Sequence, residues 1–543
     1  MCGIVGVVRR PSRREPPVGA DLVSGLDAAL ALLAPTATPA DVTAAADRVA
    51  DVDRALRGVP GVRCLLDDRS GAVAIGDRVE RLTVALAAVE QHLDATEVGG
   101  ELLETYDREL VRARDAVWAV GRDRLRTARA VGDLAGAGAA PAALAVFTSV
   151  QAALSSLDRL EVRGRDSAGL AILVRGHDLD LADPGVARLL AQRASDPLFT
   201  SGAVRHDGDV LAFVYKAAAE IGELGDNTAV LRAAIRVDEL LHLAVSAPGA
   251  EATVLGHTRW ASVGIISEPN AHPLDQTETD DVARPLVLGV LNGDVDNYTD
   301  LEAAEGLVTA AEITTDAKVI PALVARRLAD GRAPLDAFRA TVATLEGSVA
   351  VAAASAADPG TLLLALRGSG QALYVGLADD ACIVASEPYG LVEETDVYLR
   401  LDGETPADPD RPGATRGQVV VLDAALAGDV AGLHRCAYDG TALPVSSSDL
   451  HHAQITTRDI DRGDHPHFLL KEITEAPDSF RKTLRGKITE RPDGRLAVAL
   501  SESSLPESVR ARLADGSIRQ VLAIGQGTAA VAGAALVATL RPL

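Results

Sequence analysis

A cysteine stands at position 2 of this chain, in the run Met1-Cys2-Gly3-Ile4-Val5-Gly6. Its small side chain should let methionine aminopeptidase remove Met1, leaving the thiol beside a free α-amino group. That amine has an ordinary pKa of about 8, so near neutral pH it can take the thiol proton directly or through a water. A neighbouring ammonium also favours the thiolate, which is the reactive form. The chemistry implied is nucleophilic attack with a covalent intermediate. Gly3 and Gly6 flank a short apolar run, the pattern of a buried strand with the nucleophile at its tip. The same six residues also read as an ordinary first strand, and the later segments decide between the two.

Other polar types gather between Val254 and Ile320. Gly256-His257-Thr258-Arg259-Trp260 follows an apolar run, which puts Arg259 at a strand end, and Asn270-Ala271-His272-Pro273 reads as a turn. A strand over Pro285 to Leu291 runs into Asn292-Gly293. Thr315-Asp316 precedes a helical segment, where either residue can serve as N-cap. Each has a plain structural reading as well. Asn-Gly is a strong hairpin-turn signal, Arg259 can be a surface charge beside Trp260, and Asp316 can be a cap alone. His272, His465 and His467 read as structural, because no cysteine or carboxylate shares their spacing. Cys2, Cys64, Cys382 and Cys436 have no paired spacing, so neither a disulfide framework nor a zinc site is expected. No cofactor is expected either.

The elements that hold these residues belong to a chain of 543 residues, long enough for two or more domains. Hydrophobic residues make up 48% but aromatics only 3%, so the cores must be aliphatic and Ala-rich. A net charge of −24 argues against nucleic acid or an anionic membrane as principal partner. No apolar run reaches the ~18 residues of a membrane span, and no signal peptide opens the chain, which reads as cytoplasmic. After a Pro-rich loop over 9–17, apolar residues recur at helical spacing over Asp21 to Leu33, Pro39 to Leu56 and Asp77 to about Val131, interrupted at Gly99-Gly100. Residues 18–135 therefore read as a helical hairpin or small bundle. A helix follows over Ala143 to Leu160, then strands at Leu170 to Val174 and Leu211 to Tyr215, and a helix over Thr228 to Val245. Short strands between 348 and 422 suggest sheets paired in hairpins. Leu443 to Asp461 reads as polar linker or surface with His451-His452 solvated. Phe468 to Leu484 reads as a helix broken at Pro477, and Ile518 to Ile524 as a strand feeding a helix over Ala529 to Leu540.

Cys2, Arg163-Gly164-Arg165-Asp166-Ser167-Ala168-Gly169, His257-Thr258-Arg259-Trp260, Asn270-Ala271-His272-Pro273, Asn292-Gly293 and Thr315-Asp316 stand in one order that resembles the class II glutamine amidotransferases. The segment from His467 to Pro477 is similar to the one opening the second half of the isomerising glutamine–fructose-6-phosphate aminotransferases, which make glucosamine 6-phosphate. The resemblance covers residues 1–8 and roughly 143 onward. It implies an α+β fold, the N-terminal-nucleophile αββα sandwich, over residues 1–445, with 9–142 mostly a helical insertion. Residues 446–515 would then be a linker, and 516–543 the first βα unit of an incomplete sugar-isomerase (SIS) α/β domain. It implies that Cys2 attacks the side-chain amide of glutamine, forming a thioester and releasing ammonia. Asn292 and Gly293 would form the oxyanion hole, Arg259 would hold the α-carboxylate, Asp316 the α-ammonium, and Trp260 and Ser262 would wall the pocket. Thr528 stands where a phosphosugar contact would be.

Three departures accompany the resemblance. Val263 occupies a position where the family has a histidine, Leu291 replaces a histidine before Asn-Gly, and the family has only a short connection in place of residues 9–142. The insertion should project from the sandwich, and its apolar stripe motivates self-association and hence a homo-oligomer. The chain looks like the front part of a longer protein, so fructose 6-phosphate is a partner only if the full isomerase half is present. The expectation is a glutaminase. A catalytically silent binding or regulatory domain, or an amidotransferase for another acceptor, is the alternative.

Overall fold

Alternate residues of the first strand serve two different cores. In the computed structural model, which describes residues 2–96, 101–218, 223–280, 282–407, 415–485, 487–498, 500, 502 and 504–540, Gly3–Arg9 is a fully buried strand. Val5 and Val7 point to a helical layer, while Ile4 and Val8 point to a second sheet. This period-two division recurs in Ser167–Arg175, where Leu170, Ile172 and Val174 face one core and Ala171 and Leu173 the other.

Gly3–Arg9 lies inside a nine-stranded antiparallel sheet between Ala381–Ala385 and Glu251–Arg259. Beyond Glu251–Arg259 come Ser167–Arg175, Val210–Ala218 and Val204–Asp207; beyond Ala381–Ala385 come Tyr374–Leu377, Val397–Arg400 and Leu450–His452. A six-stranded sheet runs Leu433–Ala437, Gln418–Asp423, Thr361–Arg367, Val349–Ser355, Val287–Gly293 and Leu274–Asp275. Aliphatic and alanine side chains fill the space between the sheets. Helix Pro141–Leu160 covers the outer face of the larger sheet, and helices Val319–Ala329 and Pro334–Val342 cover the smaller. The layering is thus α, β, β, α. Parallel neighbours are absent among the described pairings, consistent with hairpin connections.

The segment before Pro141 is helical: Gly19–Leu32, Pro39–Ala55, Gly58–Asp67, Arg69–Asp94, Glu101–Trp118, a π-helical turn Ala119–Arg124, and Leu125–Ala135. Thr38 and Asp41 form a reciprocal capping box with Pro39 in the first turn, a start the sequence states openly. Helix Gly58–Asp67 was not expected from the pattern, and the expected interruption at Gly99-Gly100 lies outside the described residues. Leu82, Leu86, Val89, Leu93, Leu110, Val117 and Leu125 are buried in this bundle's own core. The stripe that suggested self-association is therefore consumed internally.

Nor does the bundle simply project. Helix Leu125–Ala135 packs on Pro141–Leu160, with Val131 and Leu134 entering the core of the larger sheet. Beside that seam Arg124 donates from Nε to Asp53 at 2.8 Å and from Nη2 to the Glu393 carbonyl. Thr127 donates to the Glu393 carboxylate, which also pairs with Arg159.

Several other boundaries differ from expectation. The helix expected over Thr228 to Val245 is two, Asp226–Arg236 and Glu239–Ala244, because Asp238 accepts from the Leu241 N–H at 3.1 Å and caps a new helix. Phe468–Leu484 continues through Pro477; on this exposed helix water can satisfy the carbonyl that the proline leaves unpaired. The strand expected over Ile518 to Ile524 does not form, since among the described residues no strand edge pairs with it. Helix Thr528–Leu540 follows. The nine-stranded sheet continues past residue 445, with Leu450–His452 on its edge and His451 and His452 exposed.

Candidate active site

Register places the expected residues around Cys2. Gly3 pairs with Thr258, so Cys2 emerges beside the end of Glu251–Arg259. A side chain at Gly3 would meet Leu160 Cβ and Thr258 Oγ1 at 2.8 Å, so glycine here lets the strand enter the crowded layer. Cys2 Sγ accepts from the Trp260 N–H at 3.3 Å and donates to the Trp260 carbonyl at 3.5 Å. The Cys2 backbone N–H donates to Asn292 Oδ1 at 3.1 Å. Asn292 in turn donates from Nδ2 to Ser386 Oγ at 3.3 Å, and the same hydroxyl accepts from the Ile4 N–H at 2.9 Å. The amide nitrogen carries two N–H bonds and Ser386 takes one, so a second remains for an incoming oxygen.

Asn292 and Gly293 are not a hairpin turn. They lie inside a ladder, opposite Ala350 and Val349. Gly293 adopts φ +117°, and a Cβ there would stand 2.1 Å from the Ser348 carbonyl oxygen. Only glycine fits that backbone and that approach.

Arg259 is buried, with Cys2, Asp316 and Asp166 as its electrostatic neighbours. Its fork is occupied by the following loop: Nη1 donates to the Ile265 carbonyl at 2.9 Å and Nη2 to the carbonyls of Val263 and Gly264. Asp166 braces the same loop, accepting from the Ala261 N–H at 2.8 Å. Asp316 is not a simple cap; its Oδ2 accepts from the Val295 N–H at 2.7 Å, two residues beyond Gly293. Trp260 is largely exposed, and Ser262 Oγ donates to Asp294. Thr528 opens the exposed helix near the end of the chain.

Burial pushes the Cys2 thiol up, and this exceeds the opposing pull of the Trp260 N–H, the N-terminal charge and Arg259. Burial likewise raises the Asp316 carboxyl, with the charge of Asp294 adding to it, and lowers Arg259.

Several supporting residues were not read from the sequence as such. Ser386 and Asp294 carry no local signal beyond residue type, although Asp294 directly follows Asn292-Gly293. Beyond the turn its sequence predicts, Asn270 has a buried Oδ1 that accepts from Thr314 N–H at 2.7 Å and Thr315 N–H at 3.0 Å, tying that turn to the Asp316 segment. His257 reaches the Leu291 carbonyl at 2.8 Å, and its ring lies 4.4 Å from that of His272. The inter-sheet row behind Cys2 runs Ile4, His257, Gly169 and Lys216 across four strands. Gly169 leaves room for the His272 carbonyl oxygen, which would be 2.1 Å from a Cβ. Lys216 is fully buried over the Phe199 ring at 5.3 Å, and burial lowers it to about 7.

No protein-family model matches the chain. Among curated proteins it is 32% identical over 238 residues to the isomerising glutamine–fructose-6-phosphate aminotransferase of Halalkalibacterium halodurans, covering 44% of this chain and 35% of that one. It is 26% identical over 373 residues to the enzyme of that name from Bacillus cereus, covering 68% of this chain and 47% of that one. The chain is a relative of the class II glutamine amidotransferases. It spans less than half the length of these curated amidotransferases. Among solved structures, the glutamine phosphoribosylpyrophosphate amidotransferase of B. subtilis aligns with TM-score 0.33 and 16% identity, over 54% of this chain and 48% of that one. Among the described residues no cluster of three metal-ligating side chains occurs, and no helix is long and apolar enough to cross a membrane.

Proposed function

We propose that the chain hydrolyses glutamine to glutamate and ammonia through Cys2. The observation that carries this reading is the joint hold of Asn292 on Cys2 N and of Trp260 on Cys2 Sγ, beside buried Arg259 and Asp316. With Met1 removed, the α-amine takes the thiol proton and Sγ attacks the glutamine Cδ. The second N–H of Asn292 Nδ2, with the Gly293 N–H, stabilises the oxyanion; a donor of this type is worth roughly 3–4 kcal/mol in the barrier. Collapse expels ammonia with the proton returned from the α-ammonium, and water then cleaves the thioester to glutamate. Arg259 holds the substrate carboxylate once its fork turns from the 263–265 carbonyls, and Asp316 holds the α-ammonium, with Trp260 and Ser262 as pocket wall.

The identity of the relatives and the His467–Pro477 segment support a place as the glutaminase half of a cytoplasmic glutamine–fructose-6-phosphate aminotransferase. In this reading the amidotransferase domain runs from residue 1 past the expected boundary at 445 to include the edge strand Leu450–His452, with 9–142 its insertion, a linker following to 515 and 516–543 the opening of a sugar-isomerase domain. Thr528 is the residue there offered to a phosphosugar. One observation favours the silent alternative: Val263 lies where the family has a histidine, and its carbonyl occupies Arg259. Glutamate release from glutamine decides. The wild-type chain should turn over while Cys2→Ala does not; equal release by both would remove Cys2 from the chemistry, and none by either would favour the silent domain.

A further inference from the structure

The far end of the first strand opens on a cleft. Gly3–Arg9 carries Cys2 at one end, and Arg9 at the other lines a cleft of about 270 Å³ between the helical bundle and the sandwich. The charge there runs against the acidic chain, with Arg9, Arg10, Arg14 and Arg63 on its walls. Asp380 takes Arg9 Nη1, Ser149 Oγ accepts from its Nε at 3.1 Å, and among the described residues its buried Nη2 has no partner. Asp379 pairs with Arg14. Among the described residues the Arg10 guanidinium is held by carbonyls, donating to Ala427 O at 2.8 Å and Asp379 O at 2.7 Å. Among the described residues no carboxylate lies within ion-pair distance of Arg10 or Arg63. Glu251 is the lining acid, and it pairs with Arg175.

Two helix starts reach the same cleft. Helix Pro141–Leu160 begins at Ala140 and helix Gly58–Asp67 at Arg57, and neither has a side-chain cap. Residues of both first turns, Pro141 and Ala142 on one and Val59 and Pro60 on the other, line the cleft. Of these, Val59 and Ala142 carry first-turn N–H groups, while Pro60 and Pro141 have none; each uncapped N-terminus adds a partial positive charge, which suits an anion. Arginine forks suit planar or tetrahedral oxyanions. Val59, Pro60, Ala145 and Val146 form an apolar wall beside them.

We propose that this cleft binds a small organic anion, a phosphate ester or a carboxylate, with its charged group toward Arg9, Arg10 and Arg63 and its apolar body against Val59 and Val146. The ligand would bridge the bundle to the sandwich at the strand that carries the nucleophile.

Isothermal titration of the full chain with phenyl phosphate, benzoate and the neutral analogue phenol tests this. One saturable site is expected for at least one of the two anions, with none for phenol. Arg63→Ala and Arg10→Ala, both on partly exposed side chains, should each weaken binding at least tenfold at an unchanged melting temperature. Saturation by phenyl phosphate alone assigns a phosphate ester; saturation by benzoate alone assigns a carboxylate. Absence of a saturable site for both anions, or binding untouched by both substitutions, overturns the proposal.

Discussion

At the scale of single residues, Asn292 joins the two halves of the site, fixing the Cys2 backbone through Oδ1 while keeping one N–H of Nδ2 uncommitted. Asn292→Ala removes the donor and leaves Cys2 N without its acceptor. Glutaminase kcat should fall about 10²–10³-fold, measured as glutamate release, with the protein still folded by circular dichroism. Lys216 tests the electrostatics of the layer behind. Its folded pKa of about 7 lies below the ordinary lysine value of about 10.4. Between those values the unfolded chain binds the proton and the folded chain does not, so Lys216 makes stability rise with pH across that window. Lys216→Met should therefore raise the melting temperature near pH 7, by roughly 5 °C, and the gain should shrink toward pH 10. An equal gain at both pH values would contradict the lowered Lys216 pKa.

At the scale of elements, the bundle is anchored by charge as well as by apolar packing. Arg124 is fully buried between Asp53 and the Glu393–Glu394 segment. Arg124→Met would strand those carboxylates and should cost about 3–5 kcal/mol in urea unfolding. Adding Asp53→Leu should recover part of the loss, and no recovery would mean the contact acts through packing alone. This anchoring was not legible in the sequence. Helical periodicity marked Leu82, Leu86, Val89 and Leu93 as one face, but periodicity cannot tell whether a face meets its own bundle or another molecule. The strands were legible where alternation or a bounded aliphatic run marked them, as in Gly3–Arg9 and Gln418–Asp423. Val204–Asp207 and Leu450–His452 are short edge strands with mixed composition, and nothing local announced them. Ile518 to Ile524 had a strand's composition without a partner, and hydrogen-bond pairing overrode it.

At the scale of the whole molecule, the αββα layering explains why residues scattered from 2 to 386 meet. One strand end supplies Cys2, a second supplies Arg259 and Trp260, the other sheet supplies Asn292 and Gly293, and Ser386 follows the strand neighbouring the first. Cys2, Arg259 and Asn292-Gly293 were legible because their order resembles a known family. Ser386, Asp294 and Asn270 owe their places to tertiary closure and have no spacing of their own to read.

The central claim is that Cys2 is a processed nucleophile in a working glutamine pocket. Intact mass after incubation with 6-diazo-5-oxo-L-norleucine, for wild type and Cys2→Ala, tests it most directly. A single adduct on a Met1-free chain, absent from Cys2→Ala, is the predicted result. A chain that keeps Met1, no adduct on wild type, or the same adduct on Cys2→Ala would contradict it.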